Sequence, residues 1–307
     1  MTRTQRRILF WISVACFFLA IIPIMLYSFG FRFSFSEFKI LRAGGLVVSS
    51  VPATGTKIYI NGKLAKETSL LSRSLFLQGL TPHTYTVHIE KEGYFTWSKT
   101  LPVFPERVTE TRALLVRQNP DNNTIVLKGD YKSISFENKE NNIITLTDSR
   151  KKKYYYSIQE SALVPLPKNV ATSTVTLPET VQEFLTEKKI TDSTYYDVSG
   201  ERITWWDNNK IWIHWLRGEE FLPIYTEKPE ALLFDDVYPV RQVFFYPGQE
   251  AILAAYSNQI SVIELDGRDR RNIYPLYKGR EPQFVVSDNE KKIYILDDGN
   301  LIVLPLS

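Results

Sequence analysis

Residues 8–30 read ILFWISVACFFLAIIPIMLYSFG, with no charge anywhere in the run. A stretch like this leaves few options. A helix rises about 1.5 Å per residue, so about 20 such residues span the hydrocarbon core of a bilayer. A helix buried in a soluble core keeps a polar stripe, and this run has none. It therefore reads as a transmembrane anchor over residues 8–30, preceded by a tail of residues 1–7. Arg3, Arg6 and Arg7 in that tail hold the N-terminus on the cytoplasmic side and put the body outside. Arg32, Lys39 and Arg42 follow the run and reduce the asymmetry. A cleaved signal peptide is the alternative. The run is longer than the usual apolar region of roughly 7–15 residues and no small-x-small cleavage site follows it, which favours a signal-anchor. The expected localisation is a single-pass cell membrane protein with an extracytoplasmic body. A juxtamembrane segment, residues 31–44, comes next. There Phe31, Phe33 and Phe35 alternate with Arg32, Ser34 and Ser36, as in a strand or an interfacial aromatic segment.

The rest of the chain shows strand-like alternation nearly everywhere. Aromatics make up 13% of the residues, and aromatic richness favours sheets. Cys16 is the sole cysteine, so no intramolecular disulfide can form and the core must suffice. Three histidines leave little material for a His-based metal site. A net charge of +3 argues against a dedicated nucleic-acid binder. The expected fold class is all-β with one N-terminal transmembrane helix.

Residues 45–116 form the first module. Leu46-Val47-Val48-Ser49-Ser50-Val51 is a strand stopped by Pro52, and Lys57-Ile58-Tyr59-Ile60 is the next. Asn61-Gly62 signals a type I′ hairpin, whose two central residues need positive φ. Tyr85, Val87 and Ile89 line the buried face of a further strand, and Glu92-Gly93 turns the chain. A small β-sandwich is the natural package. These residues resemble the PEGA domain, a small β-sandwich module of bacterial and archaeal envelope and surface proteins. The resemblance rests on Ser50-Val51-Pro52, Gly55, Ile58-Tyr59-Ile60-Asn61-Gly62-Lys63, Leu80-Thr81-Pro82, Tyr85-Thr86-Val87 and Lys91-Glu92-Gly93-Tyr94. Pro52-Ala53-Thr54-Gly55 stands in place of the name-giving tetrapeptide, and His83 replaces a usual glycine. Such modules are non-catalytic, so the resemblance implies adhesion, spacing or scaffolding.

Residues 118–123 make a polar, proline-containing linker, and residues 117–307 form the second module. One layout recurs there: polar turn, apolar strand, short polar turn, alternating strand. It is seen around Ile203-Thr204-Trp205-Trp206, Ala251-Ile252-Leu253-Ala254, Ile293-Tyr294-Ile295-Leu296 and, more faintly, after Asn141-Asn142 at Ile143-Ile144-Thr145-Leu146. The third copy opens on Ser287-Asp288-Asn289-Glu290. Offsets of about 40–60 residues suit the four-stranded blades of a β-propeller. Four or five blades are expected, five being the preferred count; an open or sandwich-like β domain is the alternative. The last copy stops one strand short, and Thr124-Ile125-Val126-Leu127 can supply the missing strand. Val181, Phe184 and Leu185 have helical spacing after Pro178-Glu179, which predicts a short inserted helix within residues 177–189.

No nucleophile elbow, phosphate loop, dinucleotide fingerprint or zinc-protease motif occurs. The carboxylate pairs Asp235-Asp236 and Asp297-Asp298 read as turn acids, since neighbours on a strand point to opposite faces. The expectation is a non-enzymatic chain with no cofactor and no metal. Two clusters are candidate ligand sites. Trp205, Trp206, Trp212 and Trp215, joined by Tyr195 and Tyr196, could stack on sugar rings or pack one blade on another, the latter being preferred. Lys152, Lys153, Tyr154 and Tyr156 could meet an anionic polymer or lipid headgroups, or form a solvated hairpin tip. The functional expectation is a membrane-anchored extracytoplasmic binding or scaffolding protein of a prokaryotic cell envelope. Its propeller would dock to an envelope protein or a cell-wall or surface polysaccharide. An envelope enzyme with a site in the propeller channel, or a surface-layer structural component, are the alternatives.

Overall fold

The computed structural model of the chain describes residues 2–34, 38–118, 124–138, 142–165, 177–287, 289 and 291–306. Residues 119–123 of the expected linker lie outside these, as do Phe35 and Ser36 of the alternating segment and Asn141, Asp288 and Glu290 of the expected turns. The chain divides into two compact units, Met1–Ile89 with Ser98–Ala113, and Glu90–Trp97 with Leu114–Ser307.

The first unit opens with α1 (Arg3–Ser28). Thr2 starts it through a capping box. Its hydroxyl accepts from the Gln5 amide, and the Gln5 side chain accepts from the Thr2 amide at 2.8 Å. α1 buries none of its side chains, and its most apolar window has a mean hydropathy of 2.6. By length and composition it can cross a membrane, as an anchor or as a signal sequence. Arg3, Arg6 and Arg7 are exposed at its start.

A two-stranded hairpin follows, β1 (Phe31–Ser34) and β2 (Lys39–Arg42). The next strands are β3 (Gly44–Val51), β4 (Lys57–Ile60), β5 (Lys63–Glu67), β6 (Ser74–Leu80), β7 (Thr84–Glu90), β8 (Trp97–Pro102) and β9 (Val108–Leu114). They form a three-stranded sheet, β6-β3-β9, and a four-stranded one, β5-β4-β7-β8. This is the expected small sandwich. Leu46, Val48 and Leu75 are buried from the first sheet, and Ile58, Tyr85, Val87, Ile89 and Leu101 from the second. Strand alternation accounts for the set: β7 buries every second residue from Tyr85. Asn61 and Gly62 both take positive φ, as their hairpin requires. A chain of buried hydroxyls joins Ser50 to Thr56 at 3.2 Å and Thr56 to Thr68 at 2.7 Å, so these polar groups are satisfied where water is excluded.

The second unit contains β10 (Thr124–Leu127), β11 (Tyr131–Asn138), β12 (Ile143–Asp148), β13 (Lys153–Ser157), β14 (Ala162–Val164) and α2 (Glu179–Lys188). After these come β15 (Tyr196–Ser199), β16 (Arg202–Asp207), β17 (Lys210–Trp215), β18 (Glu230–Asp235), β19 (Val240–Phe245), β20 (Ala251–Tyr256), β21 (Gln259–Glu264) and β22 (Ile273–Lys278). The last three are β23 (Gln283–Ser287), β24 (Lys292–Asp297) and β25 (Asn300–Pro305). Among the described residues they make four antiparallel four-stranded sheets: β11-β12-β13-β14, β15-β16-β17-β18, β19-β20-β21-β22 and β10-β25-β24-β23. The leading strands are neighbours, β11 beside β23, β23 beside β19, and β19 beside β15. The arrangement is propeller-like.

The four sheets among the described residues agree with the expected four or five blades, at the smaller of the two counts. The longest offset between repeats holds the predicted helix, α2, in its described part. The predicted closure is present: β10 pairs with β25 through Thr124↔Val303, Ile125↔Ile302 and Leu127↔Leu301. The Asp298-Gly299 turn has both residues at positive φ, as the hairpin between β24 and β25 needs.

Candidate functional site

The tryptophan repeat is built by β16 and β17, joined at Asn208-Asn209, with Asn208 at positive φ. Alternation sends Trp206, Ile211, Ile213 and Trp215 to one face of the sheet. There they form a core with Val240, Val243, Phe245, Ile252, Ala254 and Tyr256 of the next sheet. Trp205 goes to the other face, where α2 delivers Val181, Phe184 and Leu185. Trp205 and Trp212 are cross-strand partners, stacked at 5.9 Å with planes 11° apart. Phe184 meets Trp205 edge-on at 5.1 Å.

Both faces of this sheet are thus covered by protein. Trp205, Trp206 and Trp215 are buried and Trp212 is half-buried in its stack. As open platforms for sugar rings these four are corrected; they pack the unit, as the preferred reading of the sequence held. Tyr195 is exposed and sits 6.1 Å from the Trp206 ring, and Tyr196 is half-buried against the α2 side of the sheet.

His214 lies on the α2 face. Its ring is 4.5 Å from Phe184, and Nδ1 is 3.8 Å from a Glu230 carboxylate oxygen. Burial lowers its pKa; Lys188 also lowers it, while Glu230 and Glu187 act against the shift.

The basic–aromatic cluster sits on the hairpin between β12 and β13. Asp148 organises it. Oδ1 accepts from the amides of Arg150 and Lys152, each at 2.9 Å, and Oδ2 accepts from the Tyr154 hydroxyl at 3.2 Å. These donors, the Lys152 amide first, hold the Asp148 carboxyl below its ordinary range. Lys152 and Lys153 are exposed, and the Lys152 ammonium lies 4.9 Å from the Tyr154 ring. Tyr156 is corrected from candidate ligand residue to core residue. It is buried in the cluster with Ile144, Leu146 and Tyr294, because strand alternation turns it inward. Lys152 and Lys153 remain together at the surface, while Tyr154, on the same strand face as Tyr156, is half-buried against that core.

A buried polar network escaped the sequence reading. Glu264 and Asp266, at and just after the end of β21, are both buried. Glu264 accepts from Trp97 Nε1 at 3.0 Å and from Asn272 Nδ2 at 2.9 Å. Asp266 is clasped by the Arg268 guanidinium at 2.7 Å. Beside them Arg202 reaches Glu250 at 3.1 Å, and the Tyr225 hydroxyl donates to the same carboxylate. Tyr225 is pushed well above its usual range by burial and by Glu250. The only sequence signal was a glutamate at an otherwise apolar strand end, which pattern counting treats as a boundary. Chemically the network is closed on itself, each named carboxylate being held by donors from its own unit. Among the described residues no group of three or more His, Cys, Asp or Glu is placed to hold a metal ion.

Residues 43–119 match the PEGA domain, so the module read from its turns and strand ends is present as such. No curated protein matches the chain. Solved structures with similarity include the β-propeller domain of Myceliophteria thermophila Cps50 (Swd1), 11% identical, TM-score 0.23, covering 62% of this chain and 58% of that one. The WD40 domain of SCAP from fission yeast is 12% identical, TM-score 0.24, covering 57% of this chain and 39% of that one. The CNH domain of AfRom2 is 12% identical, TM-score 0.25, covering 80% and 71%. The chain thus spans less than two thirds of the first two.

Proposed function

We propose that this chain is a membrane-anchored binding or scaffolding protein of a prokaryotic cell envelope. In this reading α1 stays in the membrane with its N-terminus in the cytoplasm, and both β units work outside. The single observation that carries the reading is α1 itself: an apolar helix that buries none of its side chains in the protein, joined to a body whose regular structure is mostly strand. An exposed surface of that size needs an apolar solvent, and a bilayer is one. The basic residues Arg3, Arg6 and Arg7 support the orientation.

The PEGA module supports a non-catalytic role in spacing or docking. The partner we assign is an envelope protein or an anionic or neutral envelope polymer, met by the propeller-like unit. Of the candidate ligand residues, Lys152 and Lys153 have the exposure such a contact requires. The test is crosslinking in intact cells followed by purification of the chain. An envelope polymer or envelope protein should be recovered from the wild type and lost or reduced with Lys152→Glu/Lys153→Glu. Recovery of neither sinks the proposal.

A further inference from the structure

Among the described residues, the β1–β2 hairpin exposes several large apolar side chains on one face. Phe33 and Ile40 are cross-strand partners, so their side chains share a face with Phe31. Phe38 extends that face, its ring 6.3 Å from Phe33. Phe33 is 46% exposed, Ile40 55% and Phe38 81%. Phe38 also holds a φ of 50°, a conformation that a bulky side chain rarely adopts. Arg42, the partner of Phe31, lies at the base of the same face, its guanidinium 5.4 Å from the Phe31 ring and paired with Glu106, while the opposite face carries Arg32, Leu41 and Lys39.

What lies against the apolar face follows from how the hairpin is attached. Its first strand leaves α1 at Gly30, and the residue after its second strand, Ala43, donates its amide back to the Gly30 carbonyl at 2.7 Å. Arg32 fixes the angle. Its guanidinium lies 3.7 Å over the Tyr27 ring and Nη1 donates to the Tyr27 carbonyl at 2.9 Å, while Nε donates to the Gly79 carbonyl of β6 at 3.1 Å. The base of the hairpin is therefore held beside the end of α1, where Tyr27 and Phe29 are exposed. That is the level at which the chain leaves the hydrocarbon.

We propose that the β1–β2 hairpin docks on the outer surface of the same bilayer that α1 crosses, with Phe33, Phe38 and Ile40 seated at the boundary between headgroups and acyl chains. This rests on the reading of α1 as an anchor. Aromatic and aliphatic side chains on one face, with Arg42 at its base and Arg32 and Lys39 on the other face, suit that zone, where phosphates lie just above the apolar layer. The docked hairpin, clamped by Arg32, would set how the first unit stands on the membrane.

The experiment uses the full chain with Cys16→Ser, reconstituted into phosphatidylcholine–phosphatidylglycerol vesicles. Single cysteines placed by Phe38→Cys, Ile40→Cys, Lys63→Cys or Leu19→Cys carry an environment-sensitive fluorophore. Lipid-borne spin labels and aqueous iodide are the quenchers. Labels at 38 and 40 should be quenched by lipid spin labels at a depth of about 5–10 Å below the headgroup boundary and shielded from iodide severalfold relative to the label at 63. The label at 19 should respond to spin labels deep in the acyl region. If 19 responds but 38 and 40 are as open to iodide as 63, the hairpin proposal fails and the anchor stands. If 38 and 40 are shielded from both quenchers, a protein surface covers them and the bilayer proposal is overturned. If 19 does not respond, the anchor reading falls and takes the hairpin proposal with it.

Discussion

His214 illustrates how much a single side chain reports about its sheet. Burial against Phe184 favours the neutral imidazole and lowers its pKa from the ordinary 6.5. As pH falls through 6.5 the unfolded chain takes up a proton that the folded chain declines, so folding weakens. The loss accumulates until the lowered folded value is reached and then levels off. His214→Gln should flatten the dependence of the unfolding midpoint between about pH 7 and about pH 5; an unchanged slope would show that the imidazole is not held neutral. Asp148 acts in the opposite chemical sense. Its carboxylate is the acceptor that orders the β12–β13 loop, and its lowered pKa keeps it charged into acid. In Asp148→Ala the amides of Arg150 and Lys152 should exchange hydrogen with solvent markedly faster, while amides within β12 stay protected. Neither environment could be read from the residues. His214 alternates with Trp212 in the sequence, but whether that face met water or a helix depended on α2.

At the level of elements, α2 decides the shape of the second unit. Pro178 starts it and Lys189, at a φ of 56°, ends it, both legible from the sequence along with the buried positions Val181, Phe184 and Leu185. Its place was not legible. Periodicity shows that a sheet has two apolar faces, and says nothing about whether a blade or a helix covers the second one. That ambiguity is why the tryptophans stood as candidate platforms. Phe184→Ala removes the ring that meets both Trp205 and His214, and should destabilise the unit by about 3–5 kcal/mol in denaturant unfolding. A loss well under that range would mean that α2 is a surface addition. The closing strand β10 was legible because the final repeat lacked a partner. Leu127 packs on the core shared by the β11–β14 and β10–β25 sheets. Leu127→Ala should lower stability by about 2 kcal/mol, and more than the same change at the exposed Leu163, when urea midpoints are compared.

For the whole molecule, the decisive prediction concerns sides of a membrane. In the Cys16→Ser chain expressed in intact cells, a cysteine from Lys63→Cys should react with a membrane-impermeant maleimide, and one from Thr2→Cys should react only after lysis. The reverse pattern would invert the topology, and reaction of both would mean that α1 does not span. The broad plan was readable before any coordinates: one apolar helix, a PEGA-like sandwich, a repeating β body. Local rules sufficed for it, since turn chemistry and alternation are properties of a few neighbouring residues, as at Asn61-Gly62 and Asp298-Gly299. Contacts between distant segments were not readable. The donation from Trp97 to Glu264 joins positions that no sequence window contains together, and Glu264 alone looked like the end of a strand.

The pairing of β10 with β25 also has a consequence in time. Among the described strands of the second unit, the one that seals it is the first to be made and its partner is the last. A chain emerging from its N-terminus cannot close this unit until nearly every residue has arrived, and contacts so far apart in sequence form slowly. During that wait β10 is an unpaired edge, open to strands from other chains. Under the proposed anchoring by α1, a chain held beside a membrane while the last strand is awaited would meet fewer such chains.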